Sequence, residues 1–593
     1  MPLPSTNELT DHSGDPGGAA SSTSHATPLR KTKMSTLGVV AVIFSFVAAG
    51  AFGIEEAISS CGPGLTLALL LIFPFIWSYP LCEMIAELGS LFPTEGGIYC
   101  WARAAFGEFW GWQAGFWGAI TTWLCQAEYV VLVVGYLGKL FDMSPEVTLV
   151  IKICVIVVFS VVNIIGLKSM EKLETAIMVL VVGAFAAVTV VGFLNWHYNP
   201  FAMPTVIEGD LFHSAGEGIA IIIWMYMGYE CMSNMAGELE DPQVIPRAMR
   251  IANPIIALSY ILPTLAALAA IGEWNAWTVE QAGGGVGYAD VLIQYVGSWA
   301  GVAFVVVAIL ANCSIFCSYI AHGSRTFFVM AEDNMFPKFM GKIDRRGIPT
   351  ASIVVMGIFT VFTCQFDFAT LVMATNPIQF YLYLLLVACV VKTRKRYPVD
   401  ARRRMGLAVM PGGTTSLFVN SVLIAVICLL AIYVNGLDYF VAGFIVLALG
   451  LVAYIACKVV YKGRYLEDPE AFPLDSRGWL GLGDLGDIGT YALLTGLMAL
   501  SGTVFFYVIE HASGAAYYLS EYGQGFFSSF TGMLVTCLVV GVTCIIVGIA
   551  LRRRAQRNEG ERLAKLVERR DELLDEEIRA IHGTVPRAER SFQ

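Results

Sequence analysis

Long apolar runs dominate this sequence and leave it few folds to adopt. Counting stretches of roughly 20 mainly apolar residues gives about fourteen, each long enough to cross a bilayer as one helix. Hydrophobic residues make up 56% of the 593 residues and charged residues 14%, a balance that soluble globular proteins of this length do not show. The sequence therefore predicts an all-α integral membrane protein with the lipid bilayer as a partner. The predicted spans lie near residues 36–60, 64–91, 109–138, 145–166, 172–194, 215–237, 251–272, 298–325, 349–366, 368–392, 414–435, 438–461, 488–509 and 528–551.

Lys and Arg residues fall almost entirely in alternate loops, and this asymmetry predicts the orientation of the chain. One set of loops contains nearly all of them, including clusters at 394–396, 402–404 and 552–554, whereas the other set contains essentially Lys139. Basic loops stay on the cytoplasmic side of a membrane. Both termini are therefore predicted to be cytoplasmic, and we expect the plasma membrane as the location. The net charge of −10 gives no reason to expect a nucleic-acid partner.

The stretch Gly50–Glu56 interrupts the first predicted span with two glycines and two carboxylates. An ionisable side chain at membrane depth is energetically costly, so it usually faces a cavity, a partner or a transported ion. Interrupted helices of this kind are typical of the binding sites of secondary transporters. The stretch therefore indicates a transport site.

A second interruption, Trp224–Glu230, lies in the sixth span and again combines a glycine with a carboxylate. Spans one and six lie five spans apart and have opposite predicted directions, the relation found in inverted five-helix repeats whose broken first helices meet at the membrane midplane. Unwound backbone there exposes N–H groups to an anion and carbonyl groups to a cation. We expect the nearby side chains to decide which charge is bound.

Those nearby side chains are acidic and aromatic. Carboxylates at mid-span depth without a fixed cation favour a positively charged substrate or the uptake of protons, and deep Lys and Arg residues are almost absent apart from Lys152. Aromatic faces can hold an amine. Glu128 has the alternative of simply pairing with a buried polar group, and only one of Glu55 and Glu56 is expected to face the cavity. The predicted substrate-binding residues are Gly50, Phe52, Gly53, Glu55, Glu128, Tyr129, Trp224, Tyr226, Gly228, Tyr229 and Glu230, with Glu230 and Glu55 as the candidates for proton coupling.

Motifs of soluble enzymes and of ATP-driven pumps are missing. The sequence contains no Walker A motif, no His-x-x-x-His pair and no Gly-x-Ser-x-Gly motif. Its seven histidines are too scattered to form a metal site. We therefore expect a protein that is not an enzyme, that uses no cofactor or metal, and that is coupled to an ion gradient instead of ATP.

Several short segments together resemble the amino acid–polyamine–organocation superfamily. They are GAFGIEE at 50–56, FPFIWSYP at 73–80, FPTEGG at 92–97, FWGWQ at 109–113 and AGELEDP at 236–242. Within the superfamily, the chain is most similar to the polyamine and L-type amino acid uptake transporters of plants and protozoa. The likeness covers about residues 36 to 395 and depends on the segments taken together.

The resemblance implies a LeuT-like core of five plus five helices in inverted repeat, with substrate held between spans one, three, six and eight. By position, Gly50 and Gly53 would bind substrate through freed backbone groups. Trp224 would cap the substrate from outside, and Glu230 would recognise an amine or a proton. One departure is Ala51, which stands where the polyamine-type pattern has proline. Another is Glu230 itself, which stands where that pattern has aspartate.

The implied core divides the chain into four parts. Residues 1–35 are expected to be a disordered cytoplasmic leader and 36–395 the ten-helix transport core. Residues 396–552 would add four membrane helices, and 553–593 would form an amphipathic cytoplasmic tail. The apolar residues of the tail lie at helical spacing, which suits either a solvated helix near the membrane or a docking or oligomerisation helix.

We therefore predict a secondary active transporter that imports small organic cations such as putrescine, cadaverine or spermidine. It would work by alternating access with protons as the coupling ion. One alternative is a permease for cationic or neutral amino acids. Another is a nutrient sensor that signals through its C-terminal tail.

Overall fold

The computed structural model describes residues 34–48, 50–94, 96–165, 170–202, 211–241, 243–279, 286–333, 335–345, 347–461, 471–512 and 529–582. Within these ranges the chain is helical, and β-structure is limited to the two isolated bridges Trp277–Val286 and Leu474–Gly481. The predicted all-α membrane fold is therefore confirmed. The predicted disordered leader lies outside the described residues, except for its last two positions.

Nineteen α-helices, numbered here in chain order, make up the described structure. A π-helix, Pro74–Ser78, joins α3 and α4 into one span, and a 3-10 helix, Tyr229–Glu238, follows α9. The helices are α1 Thr36–Val47, α2 Ile54–Cys61, α3 Pro63–Phe73, α4 Tyr79–Leu91, α5 Ile98–Phe106, α6 Glu108–Gly138, α7 Pro145–Ile165, α8 Met170–Leu194, α9 Leu211–Met225, α10 Val244–Ala270, α11 Tyr288–Tyr295, α12 Ser298–Glu332, α13 Thr350–Thr363, α14 Phe368–Arg396, α15 Val399–Arg404, α16 Gly413–Val434, α17 Leu437–Tyr461, α18 Asp484–Ala512 and α19 Phe530–His582.

The predicted spans correspond to these helices. Among the described residues, eleven helical segments are long and apolar enough to cross a membrane unbroken. The other three predicted spans are the first, the sixth and the ninth. The first and sixth are interrupted, and the ninth is the 14-residue helix α13. A count of about fourteen spans therefore describes the fold well, although not all of them are continuous helices.

The first predicted span is broken, as expected, into α1 and α2. α1 ends at Val47 and α2 begins at Ile54. Gly50 has φ 116° and Gly53 has φ 95°, conformations that are strained for a residue with a Cβ atom. A Cβ at Gly53 would also lie 2.7 Å from the ring of Phe368. The glycines therefore permit both the turn and its close packing against α14.

The second break lies between α9, which ends at Met225, and the 3-10 helix that follows. Gly228 has φ 102°, and a Cβ there would lie 2.8 Å from the carbonyl oxygen of Phe46 on α1. The hydroxyl of Tyr260 on α10 lies 3.0 Å from the carbonyl oxygen of Val47 and 2.9 Å from that of Met225. The ends of the two broken helices therefore meet, as the inverted-repeat arrangement predicts.

Helices α16 to α19 pack beside these elements. Lys458 of α17 forms a buried ion pair with Glu108 at the start of α6. α18 and α19 approach each other so closely that a Cβ at Gly496 would lie 2.7 Å from the carbonyl oxygen of Gly541. Small residues allow such close packing of membrane helices. Of these helices, α17 is thus attached directly to α6, which contributes to the candidate site described below.

Candidate functional site

A cavity lies between α5, α6, α12, α14 and the second helix break. Four of the predicted site residues line it: Tyr129, Trp224, Gly228 and Glu230. The other seven predicted residues lie outside its lining. The full lining is Gly96, Ile98 and Tyr99 at the start of α5; Ala114, Gly118, Thr121, Thr122, Cys125 and Tyr129 of α6; Trp224, Met227, Gly228, Glu230, Cys231 and Asn234; Tyr319, His322 and Thr326 of α12; and Thr375, Gln379 and Leu382 of α14.

Glu230 supplies the negative charge of the cavity. It lies at the start of the 3-10 helix, and its side chain is held from α14. The amide of Gln379 donates to Oε1 over 2.6 Å, and the hydroxyl of Tyr383 lies 3.0 and 3.1 Å from the two carboxylate oxygens. Among the described lining residues, Glu230 is the single carboxylate, and none is Lys or Arg. The cavity is therefore suited to a positively charged ligand.

Glu128 lies behind the cavity wall and is fully buried. The indole nitrogen of Trp224 donates to its Oε2 over 2.7 Å, and the hydroxyl of Thr375 donates to its Oε1 over 2.7 Å. Trp224 and Thr375 both line the cavity, so Glu128 fixes two wall residues at once. Glu128 thus pairs with buried polar groups, which is one of the roles that the sequence left open for it.

Aromatic rings cover the same part of the wall. The ring centroids of Tyr129 and Trp224 lie 5.8 Å apart, and those of Tyr129 and Tyr319 lie 5.3 Å apart. The ring of Phe368 meets Trp224 edge to face at 5.2 Å. Aromatic faces beside a carboxylate attract cations through their quadrupoles. This group of rings therefore reinforces the charge preference of Glu230.

Asn234, His322 and Thr326 form a polar group at the other end of the cavity that was not predicted from the sequence. The amide nitrogen of Asn234 donates to Nδ1 of His322 over 2.8 Å and to the hydroxyl of Thr326 over 3.1 Å. His322 and Thr326 lie within α12, which continues to Glu332. No local motif marks these residues, because the group forms only when α12 packs against the 3-10 helix.

The predicted residues of the first break face a different environment. Phe52 belongs to an aromatic cluster, with ring centroids 5.3 Å from Tyr136, 5.0 Å from Phe185 and 5.9 Å from Phe304. A Cβ at Gly50 would lie only 2.4 Å from the ring of Phe185. The segment around Gly50 and Gly53 is therefore packed on the far side of the cavity wall.

Glu55 and Glu56 are each engaged by neighbouring protein groups. Glu55 is fully buried, accepts the N–H of Gly53 over 3.0 Å and accepts the hydroxyl of Tyr136 over 2.7 Å. The ammonium of Lys139 and the carboxylate of Glu55 both lie beside Gly287. Glu56 accepts from the hydroxyl of Thr278 over 2.6 Å and from a neighbouring backbone N–H over 2.8 Å. Neither carboxylate contributes to the described lining of the cavity.

Tyr226 and Tyr229 point away from the cavity although they flank Gly228. The hydroxyl of Tyr226 donates to the carbonyl oxygen of Leu70 over 3.0 Å. The hydroxyl of Tyr229 lies 2.6 Å from that of Ser78. Both tyrosines tie the second break to the span formed by α3 and α4.

Another buried carboxylate, Glu174 of α8, had no sequence signal. It accepts hydrogen bonds from Ser45 of α1, from Ser314 over 3.0 Å and from Ser318 over 2.7 Å. This shared acceptor on α8 connects α12 to α1 beside the first break.

Comparisons with known proteins agree with this architecture. A protein-family model described as amino acid permease matches residues 32–461. The chain is similar to a probable polyamine transporter of Arabidopsis thaliana, with 27% identity over 378 residues that cover 62% of this chain and 74% of that protein. It is similar to the polyamine transporter RMV1 of the same plant, with 27% identity over 379 residues and coverages of 62% and 75%. The polyamine transporter PUT1 of Oryza sativa subsp. japonica is 27% identical over 466 residues, with coverages of 76% and 82%.

Proposed function

Because this chain belongs to the amino acid permease family and is a multi-pass membrane transporter, we propose that its substrates are small organic cations of the diamine and polyamine type. The observation that carries the proposal is the cavity lining, in which Glu230 is the one described carboxylate and Lys and Arg do not occur. The names of the plant relatives support the same substrate class.

In this proposal one ammonium group of the substrate binds Glu230. Gln379 and Tyr383 hold the carboxylate in place, so the substrate meets a fixed acceptor. The methylene chain and the second ammonium group lie against Tyr129, Trp224 and Tyr319. Glu128 lies behind the cavity wall, where it adds negative potential next to Trp224 without touching the substrate.

Coupling and orientation belong to the same proposal. Uptake is proton symport: a proton crosses inward together with each substrate as the cavity changes its access, and one of the two buried carboxylates Glu230 and Glu55 carries that proton. Residues 36–395 form the transport core, and the face on which α4 ends and α19 leaves the membrane is cytoplasmic. The protein resides in the plasma membrane and imports its substrate.

Transport of amino acids is the second candidate, because the matching family model is described as amino acid permease. Such a substrate needs N–H donors at a helix break for its carboxylate. The N–H of Gly53 is already taken by Glu55. This occupied donor favours the amine over the amino acid.

Uptake of labelled putrescine and arginine into proteoliposomes, with an inward proton gradient and each compound as competitor, tests the proposal. We expect saturable putrescine uptake that is abolished by Glu230→Gln. Glu56→Gln is the matched control, because it removes a carboxylate at the other break that lies outside the described lining. Strong arginine uptake that putrescine does not inhibit would favour the amino acid permease. Uptake of neither compound would favour the sensor.

A further inference from the structure

Helix α19 continues beyond its predicted membrane span to His582, and residues 553–582 are called the tail helix here. The tail helix is packed against the rest of the molecule along one side. Ile578 is fully buried and Leu566 is 5% exposed, whereas Val567 and Ile581 are exposed. The tail helix is therefore docked on the rest of the protein, which is one of the two alternatives that the sequence left open.

The acidic part of the tail helix binds the end of α14. Arg396 pairs with Asp571 over 2.6 Å and with Asp575 over 2.9 Å. Tyr397 donates a short hydrogen bond to Asp575. These ion pairs are partly exposed, so each is weak enough to break and re-form.

The last residues of the tail helix reach the end of α4. The ring Nε2 of His582 lies 2.9 Å from the carbonyl oxygen of Leu91, the last residue of α4. The chain then continues into α5, and Gly96 just before α5 and Ile98 and Tyr99 in its first turn line the cavity. The tail helix therefore contacts the segment that forms one wall of the cavity.

A second set of contacts connects the tail helix to α5. The guanidinium groups of Arg570 and Arg103 lie over the ring of Phe472, at 4.8 and 4.5 Å from its centroid. Arg103 pairs with Asp333 over 2.8 Å, and the hydroxyl of Tyr99 donates to the same carboxylate over 2.7 Å. The tail helix thus reaches a cavity residue, Tyr99, through a chain of direct contacts.

From these contacts we propose that the tail helix is an autoinhibitory strap that holds the α4–α5 segment, residues 79–106, against the cavity. Access to the cavity from this face requires movement of that segment. The segment cannot move away while His582 and Arg570 are docked. Release of Asp571 and Asp575 from Arg396 is therefore the step that frees it, and transport is slower while the strap is attached.

A double substitution with a matched control tests the strap. Asp571→Asn with Asp575→Asn removes the acidic contacts of the docked side. Glu572→Gln with Glu576→Gln removes two exposed carboxylates at the same spacing, one position further along the helix. Both variants change the net charge equally, but Asp571 and Asp575 pair with Arg396 of α14, whereas Glu572 pairs with Arg569 within the tail helix. We therefore expect only the first variant to release the strap.

The readout is maleimide labelling of Cys100, which lies beside Gly96 in the strapped segment. The labelled peptide is quantified by mass spectrometry in the full-length protein. We expect Asp571→Asn with Asp575→Asn to label about threefold faster or more, the change in population that loss of weak exposed ion pairs produces. The Glu572→Gln with Glu576→Gln control should label at the wild-type rate. This assay needs no substrate, so its outcome is independent of the proposed transport function.

Arg396→Gln provides the partner test. If Arg396 and the two aspartates act through one contact, the triple variant labels no faster than Arg396→Gln alone. Size-exclusion elution and thermal unfolding of each variant identify a general loss of folding. Equal labelling rates in wild type, the tail variant and Arg396→Gln, all folded, would overturn the proposal. Faster labelling in the Glu572→Gln with Glu576→Gln control would overturn it as well.

Discussion

The indole nitrogen of Trp224 donates a 2.7 Å hydrogen bond to the carboxylate of Glu128. The two residues lie on different helices, α9 and α6, and only Trp224 lines the cavity. Glu128 therefore sets the position of a wall residue from behind it. This relationship gives a carboxylate outside the cavity a direct effect on what the cavity binds.

Substitutions of Glu128 should separate its hydrogen bonding from its charge. Glu128→Gln keeps an acceptor for the indole, whereas Glu128→Leu leaves the indole of Trp224 without an acceptor and Thr375 with only the carbonyl oxygen of Leu371. Loss of hydrogen bonds to a buried charged group costs about 1.5–3 kcal/mol, so we expect Glu128→Leu to lower the efficiency of putrescine uptake by about tenfold or more. Glu128→Gln should have a smaller effect. Equal losses, measured as Vmax/KM, would contradict a role in positioning Trp224.

The hydroxyl of Tyr383 should matter through Glu230 alone. Tyr383→Phe keeps the ring packed against Trp77, 5.5 Å away between centroids, and removes the hydrogen bonds to the carboxylate. We expect KM for putrescine to rise about threefold to tenfold, with Vmax little changed, because one hydrogen bond to a charged group is lost. In a Glu230→Gln background the same change should have little further effect on substrate binding measured by scintillation proximity. Additive effects in that background would argue against this coupling.

Glu55 and Lys139 should behave as a charge pair that stabilises the fold. Glu55→Gln removes the carboxylate that lies with the buried ammonium of Lys139 beside Gly287, and leaves Asp290, 3.9 Å away, as the ion-pair partner of Lys139. Because Asp290 remains, we expect a cost below the roughly 3–5 kcal/mol of breaking a buried pair completely. We expect a fall of several degrees in the unfolding temperature of the detergent-solubilised protein. The double variant Glu55→Gln with Lys139→Gln should recover most of that loss. A stable Glu55→Gln protein that loses diamine uptake selectively would instead support the role in substrate binding predicted from the sequence.

We expect that Gly228 cannot be replaced by a residue with a side chain, because a Cβ atom would collide with α1. A second glycine with a similar φ angle separates this collision from the strain of the backbone angle. Gly228 and Gly436 have similar φ values, 102° and 99°, but a Cβ at Gly436 would meet open space whereas one at Gly228 would lie 2.8 Å from the carbonyl oxygen of Phe46. The backbone strain alone costs about 1–2 kcal/mol in each case. We expect Gly436→Ala to retain expression and uptake, and Gly228→Ala to lose uptake. Similar behaviour of the two variants would show that contact between the two breaks is not required.

Much of the fold was predictable because its signals are local. Apolar runs marked the spans, and the glycines with their carboxylates marked both breaks. The cavity was harder to predict, because it depends on how each helix is rotated after a break. Glu230 and Tyr229 are adjacent in sequence, yet one lines the cavity and the other contacts Ser78. Gln379, in contrast, has no local signal and becomes part of the site only when α14 packs against the second break.

The docking of the tail helix is a second feature that could not be predicted from the sequence. Its apolar spacing indicated an amphipathic helix but not what it packs against. The contact with Arg396 joins positions 175 and 179 residues apart in the chain. No periodic pattern encodes such a distant pairing, so docking and simple solvation both remained open interpretations of the sequence.

The hydroxyl of Tyr260 lies within reach of two helix-terminal carbonyl oxygens, those of Val47 and Met225, but a hydroxyl has a single hydrogen to give. At any moment one broken helix receives that hydrogen and the other keeps its lone pairs available. The carbonyl oxygens of the two broken helices therefore share one hydrogen-bond donor, the hydroxyl of Tyr260. The hydroxyl therefore has two hydrogen-bonded orientations with similar donor–acceptor distances, one toward each broken helix. A rotation of the hydroxyl about its C–O bond is enough to pass from one to the other where the two repeats meet.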